Sequence, residues 1–189
     1  NKKCITLQYV IINSHTSFWN IKHINEIHNL VSNMLGDLVS CRKLITNLKL
    51  KDSLVNLIEC KSNTIDIDNL RPQNNNIIIL LKNNIYNTKG CYFNQGIIIL
   101  GWNKEEYNEL NLPHKNKLRA ETLVHEILHS GKLQHIHCDM DNHNKYHNNL
   151  MFVGNTICNR DRYRTTINNK QKQLFIKNCK WAYPCNKSL

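Results

Sequence analysis

The sequence predicts a layered fold that combines helices with a sheet, α/β or α+β, and three observations carry that reading. The first segment, ITLQYVIIN over Ile5–Asn13, is rich in β-branched and aromatic residues and has strand composition. NNNIIILLKNN, over Asn74–Asn84, is an unbroken apolar run between turn formers, the mark of a strand buried on both faces. The elements follow one another as strand, helix, several strands, helix, loop and helix, an order that lays helices on a sheet.

Each element has its own reason. INEIHNLVSNMLGDLV, over Ile24–Val39, places Ile24, Ile27, Val31, Met34, Leu35 and Leu38 at helical spacing, which predicts an amphipathic helix against the sheet. Ile45–Ile58 suits strand and helix equally. KGCYFNQGIIILGW, over Lys89–Trp102, reads as two short strands parted at Asn94–Gly96. The first is the more polar and suits a sheet edge, and Gly96 suits the turn. Pro113 and the charged residues after it close a loop. A helix is expected from near Asn116 to about Gly131, then polar loop, then a last helix over roughly Asn168–Lys177. No apolar run approaches the roughly 20 residues that span a bilayer.

The 189 residues fit a single domain, and 41% hydrophobic residues are compatible with a packed core. The formal charge of +11 would suit an anionic partner. However, the lysines and arginines are scattered, apart from a loose cluster over Arg160–Lys172, in a chain crowded with Asn and Ile. The charge is therefore read as compositional, and nucleic acid is the less favoured partner. The eight cysteines, Cys4, Cys41, Cys60, Cys91, Cys138, Cys158, Cys179 and Cys185, form no CxxC pair. Their even number and wide spacing suit disulfides in an oxidising or secreted setting, not a zinc knuckle. The chain begins at Asn1 without a Met or signal peptide, as a processed or trimmed product would.

The chemistry concentrates in TLVHEILHSGKLQHIH, over Thr122–His137. His125 and His129 are four apart and share one helix face, where two imidazoles can grip one metal ion. Glu126, beside the first, can reach a metal-held water and act as general base. Ala120, Leu123, Val124, Ile127 and Leu128 supply the apolar face that would hold this helix on the sheet. A third ligand is needed. No Glu follows Glu126, which excludes a glutamate from a later helix. His135 lies six residues after His129, beyond a glycine suited to ending the helix. His137, His143 and His147 are the other histidines nearby.

HEILHSGKLQH resembles the metzincin signature HExxHxxGxxH. NNLMFVG, over Asn148–Gly154, resembles the Met-turn of those zinc peptidases, with Met151 as the residue beneath the metal. TTINNKQKQLFIKN, over Thr165–Asn178, is similar to their C-terminal helix. The resemblance implies a zincin-like α+β fold: a twisted mixed sheet with a backing helix and an active-site helix, then a small irregular lobe ending in a helix. It implies a single catalytic domain over 1–189, with lobes of about 1–135 and 136–189. It implies one Zn²⁺ held by His125, His129 and His135, Glu126 as catalytic base, and a protein or peptide substrate. It also implies that an edge strand, here Tyr86–Asn94 with Cys91, Tyr92 and Phe93, binds substrate as an added strand. Two features depart from the family. The glycine falls at 131, with Lys132 in the signature's place, so either the helix ends early or Lys132 takes a strained conformation. Ile136 after the third histidine assigns no subfamily.

Three rivals compete. HIHCDMDNHNKYHNNLMF loosely resembles an HNH nuclease motif, but that leaves His125, Glu126 and His129 without a role. A zincin that clears DNA–protein crosslinks would be basic and intracellular, with reduced cysteines. An inactive binding module would have no chemical need for Glu126.

Overall fold

The computed structural model describes residues 2–61, 75–85, 88–93, 95–101, 112–139, 145–154 and 164–186. Of the positions singled out above, Asn74, Tyr86, Asn94, Trp102, His143, Cys158 and Arg160 lie outside these ranges.

The elements, in order, are β1 (Lys3–Ile12), α1 (Ile21–Leu35), β2 (Val39–Leu48), a single-turn α2 (Asp52–Val55), β3 (Ile77–Lys82), β4 (Gly90–Phe93), β5 (Ile97–Gly101), α3 (Leu112–His129), β6 (Ile136–His137), β7 (Phe152–Val153), α4 (Asn169–Asn178) and β8 (Tyr183–Pro184). The main sheet runs β2-β1-β3-β5-β4. Its first four strands are parallel, and β4 closes one edge antiparallel to β5 with Cys91 opposite Ile99. This is the mixed sheet with a polar edge strand that the sequence predicts. The short β8 pairs with the start of β1, at Lys3 and Cys4. β6 and β7 form a separate parallel pair.

Alternation along the strands divides the interior in two. Ile5, Leu7, Tyr9 and Ile11, with Ile77, Ile79, Leu81, Ile98 and Leu100, face one way and meet α1 and α3. Val10, Ile12, Ile78, Leu80, Ile97 and Ile99 face the other way, beneath Ile58 and the chain that follows β2. Both faces of β1, β3 and β5 are covered, which is why their sequences read as apolar runs. The polar Gln8 on this second face is satisfied by Thr46 at 3.3 Å and Asn76 at 3.2 Å.

Helix α1 starts earlier than its apolar spacing suggests, because the Asn20 side chain accepts from the His23 N–H at 2.9 Å and caps it. It also stops earlier, at Leu35. The chain turns at Gly36, and Leu38 and Val39, which keep helical spacing, instead lead into β2. β2 is the strand the sequence does not announce. It is an edge strand, half-exposed and interrupted by Arg42 and Lys43, yet paired with β1 along its whole length. Its end at Leu48 and the short α2 resolve the ambiguity of Ile45–Ile58. At the other end of the chain, Asn168 and Gln171 form a capping box that starts α4.

Two disulfides join described residues, Cys4–Cys185 and Cys60–Cys91, and Cys138 is also disulfide-bonded. Cys41 and Cys179 are free thiols. No described helix is long and apolar enough to cross a membrane.

Candidate metal centre and its cleft

Helix α3 presents the first two histidines. Ala120, Leu123, Val124, Ile127 and Leu128 are fully buried against the sheet, so the rotation of the helix about its axis is fixed. That rotation turns His125 and His129 to one side, with ring centroids 4.8 Å apart.

The end of α3 decides where the third histidine goes. Lys132 N–H bonds to the His129 carbonyl at 2.9 Å, and Leu133 N–H to the Leu128 carbonyl at 3.3 Å. This is the paired closure of a Schellman motif, with buried Leu133 against the same core as Leu128. The residue that takes the left-handed conformation is Lys132, at φ +63°. Gly131 meets a different need: a Cβ there would lie 2.4 Å from Phe175 Cδ2. The shifted glycine of the signature is thus explained by crowding against α4, and Lys132 carries the strain. The reversal that follows brings His135 back over α3.

The three Nε2 atoms converge. His125 and His135 are 3.0 Å apart, His129 and His135 3.0 Å, and His125 and His129 3.2 Å. Each helical ring is oriented from behind: His125 Nδ1 donates to the Leu150 carbonyl at 2.6 Å and His129 Nδ1 to the Leu133 carbonyl at 2.8 Å. With their protons on Nδ1, both rings aim a lone pair at a common point. Converging lone pairs repel unless a cation lies between them. A tetrahedral zinc, at about 2.0–2.1 Å from each nitrogen, spaces its ligands by roughly 3.3 Å, close to the separations here. The donor set therefore fits Zn²⁺. Burial holds His125 down at about 3, and the charges of His129, Arg164 and His135 add to the effect. Burial also lowers His129 and His135. Neutral imidazole is the form that binds a metal.

Glu126 is buried beside this point. Burial pushes its carboxyl up to about 7, with the Arg164 guanidinium acting against it. The turn behind His125 is tight: Phe152 N–H bonds to the Asn149 carbonyl at 3.0 Å, and Met151 N–H to Asn149 Oδ1 at 2.9 Å. Met151 is fully buried in this turn, and its carbonyl accepts from Ile136 N–H at 2.8 Å, next to His135.

Two cavities meet at Glu126, His135 and Gly90. One, of about 570 Å³, is lined by Cys91 and Tyr92 of β4 together with His129, Lys132 and Gln134. The other, of about 370 Å³, lies between Thr88–Gly90, the Leu118–Glu126 face of α3, Val153 and Arg164. The edge strand thus borders both. Phe93 lines neither; it packs with Cys91 on the far face of the sheet, while Tyr92 stands edge-on to Trp181. His137 is exposed, its ring 6.0 Å from that of His135, and His147 borders a separate cavity with Lys145 and Thr166.

Sequence reasoning missed the pair beside the centre. Arg164 Nε donates to Glu121 Oε1 at 2.9 Å, its backbone N–H to Glu121 Oε2 at 2.9 Å, and its Nη1 to the Phe152 carbonyl. The pair ties the Met151 turn to α3 one helical turn before His125. A signal existed: Glu121 lies one helical turn before His125 and beside the apolar stripe of α3, and a buried carboxylate needs a cation.

No family model matches the sequence, and no curated protein matches it either. Solved structures do resemble it. The archaemetzincin of Methanopyrus kandleri superposes with a TM-score of 0.65 at 13% identity, over 93% of this chain and 96% of that one. A zinc-dependent peptidase from Methanocorpusculum labreanum gives 0.55 at 14% identity, over 89% and 99%. Metalloproteinase-II from Bacteroides fragilis gives 0.52 at 14% identity, over 94% of this chain and 53% of that one. The chain has the zincin-like α+β fold.

Proposed function

We propose that this chain is a zinc-dependent endopeptidase of the metzincin type, a single catalytic domain whose lobes, about 1–135 and 136–189, flank the cleft. The observation that carries the reading is the convergence of the His125, His129 and His135 Nε2 atoms within 3.0–3.2 Å beside a buried Glu126. The likeness to peptidases supports it through the fold.

The three imidazoles would hold one zinc. When bound, the ion lowers the pKa of a water and polarises the scissile carbonyl. The Leu150 and Leu133 carbonyls keep two of the rings in the tautomer that leaves Nε2 open. Met151 would form the floor of the site, and the same turn supplies the Leu150 carbonyl that orients His125. The substrate would lie along β4 as an added antiparallel strand, aligned by main-chain hydrogen bonds at Cys91, Tyr92 and Phe93. Glu126 takes a proton from the attacking water and delivers it to the leaving amine. The disulfides support an oxidising compartment, as for a secreted protein.

The test is metal analysis joined to turnover. The wild type and Glu126→Gln should each contain one zinc per chain, and the variant should cleave peptides at least about 100-fold more slowly. Metal-free wild type, or a variant of unchanged rate, would sink the proposal. The HNH alternative predicts plasmid nicking that survives Glu126→Gln. Among the described residues nothing favours it, since His135, with which that stretch begins, sits with His125 and His129.

A further inference from the structure

We propose that Lys132 is a specificity-determining residue: its ammonium selects peptides that place an Asp or Glu side chain over the His129–His135 side of the cleft. The inference rests on the peptidase reading above and names the substrate class of that same site.

Two observations meet at this residue. The first is backbone strain. Among the described residues only Asn13 and Lys132 combine a side chain with positive φ, at 51° and 63°. Asn tolerates that region, and Asn13 also uses its side chain to bond Leu50 N–H and the Leu50 carbonyl. Lys has no comparable local compensation, and glycine would occupy the position without strain. Strain of this kind clusters at functional sites.

The second is position. Lys132 lines the larger cavity with Tyr92, His129, Gln134 and His135. The only acid on that lining is Glu126, which is buried and assigned to the chemistry. Lys132 makes no ion pair among the described residues. Its backbone is pinned by its own N–H bond to the His129 carbonyl, by the bonds of its neighbours Gly131 and Leu133 to the Leu128 carbonyl, and by Gly131 wedged against Phe175. The charge therefore leaves from a rigid point three residues after a metal-ligating position. The opposite cavity is lined by two cations, Lys89 and Arg164, and Arg164 is engaged by Glu121. The larger cavity thus offers the Lys132 ammonium to an incoming carboxylate.

The experiment uses the zinc-loaded full chain and peptides blocked at both ends, so that only side chains supply carboxylates. Each position is compared as Asp against Asn and Glu against Gln. The wild type should favour the carboxylate at one fixed position from the cut bond by roughly two- to fivefold in kcat/KM, since the pair is partly exposed. High salt should weaken that preference. Lys132→Gly should bring the ratio to about one, and Lys132→Glu should invert it. Loss of folding cannot mimic this result, because glycine relieves the left-handed backbone and the readout is a ratio between substrates. A wild type without the preference, or a preference that persists in Lys132→Gly, overturns the proposal while leaving the peptidase intact. Failure of the zinc-loaded wild type to cut any peptide overturns both.

Discussion

Tyr9 and His28 show how single residues tune this interior. Tyr9 lies in the middle of β1, 1% exposed, and its hydroxyl meets His28 Nδ1 at 2.8 Å. Burial holds the Tyr9 hydroxyl well above its usual range, so it stays a donor. His28 is lowered, first by burial and then by Lys43, while a hydrogen bond with the Cys41 backbone pulls the other way. Neutral His28 satisfies both neighbours, accepting at Nδ1 and donating to the main chain. Its folded pKa lies below the ordinary value of about 6.5. The neutral pair therefore contributes fully above that value, and its contribution is lost as pH falls below it, because the unfolded chain takes up the proton first. In metal-free protein, His28→Gln should be less stable than wild type at about pH 7.5, and the gap should narrow by about pH 5.5. Urea midpoints measure it, and a gap that widens on acidification contradicts the account.

The last turn of α3 is where one element sets the geometry of the site. Its two closing positions respond to opposite demands, and substitution should separate them. Lys132→Gly removes the left-handed penalty and should stabilise the metal-free chain by about 1 kcal/mol. Gly131→Ala should destabilise it, because the new Cβ meets the Phe175 ring at 2.4 Å and the Phe175 Cα at 2.9 Å. Denaturation midpoints of the two variants decide the matter, and shifts of the same sign would refute this division of roles. The sequence makes α3 legible through its apolar spacing and its i, i+4 histidines, both local properties. It does not reveal why the glycine sits at 131, because the reason is a ring in α4, 44 residues away by number. β2 is hidden for a related reason. An edge strand need bury only part of itself, so Arg42 and Lys43 break the pattern that marks β3 and β5.

For the whole molecule, Cys4–Cys185 matters most, since it joins the start of β1 to the chain just past β8 across a separation of 181 residues. A loop of that length restricts the unfolded chain strongly. Replacing both cysteines with alanine should cost about 2–5 kcal/mol. Cys60–Cys91 closes a shorter loop, 31 residues, but fastens the chain after α2 to the strand that borders the cleft. Non-reducing unfolding of the Cys4→Ala/Cys185→Ala variant gives the test. An unchanged midpoint would mean that β8 and the first core strand hold together without the bond.

The sequence by itself determined the apolar strands, the amphipathic helices and the His-Glu-His pattern of α3, because each depends on neighbours within a turn or a pleat. Only the tertiary structure decided how His135, which the spacing already singled out, is carried to His125 and His129, which carbonyls orient the helical rings and which arginine partners Glu121. Those partners are brought by chain reversals and sheet pairing. They depend on how distant segments fill space against one another, a quantity that no local spacing records.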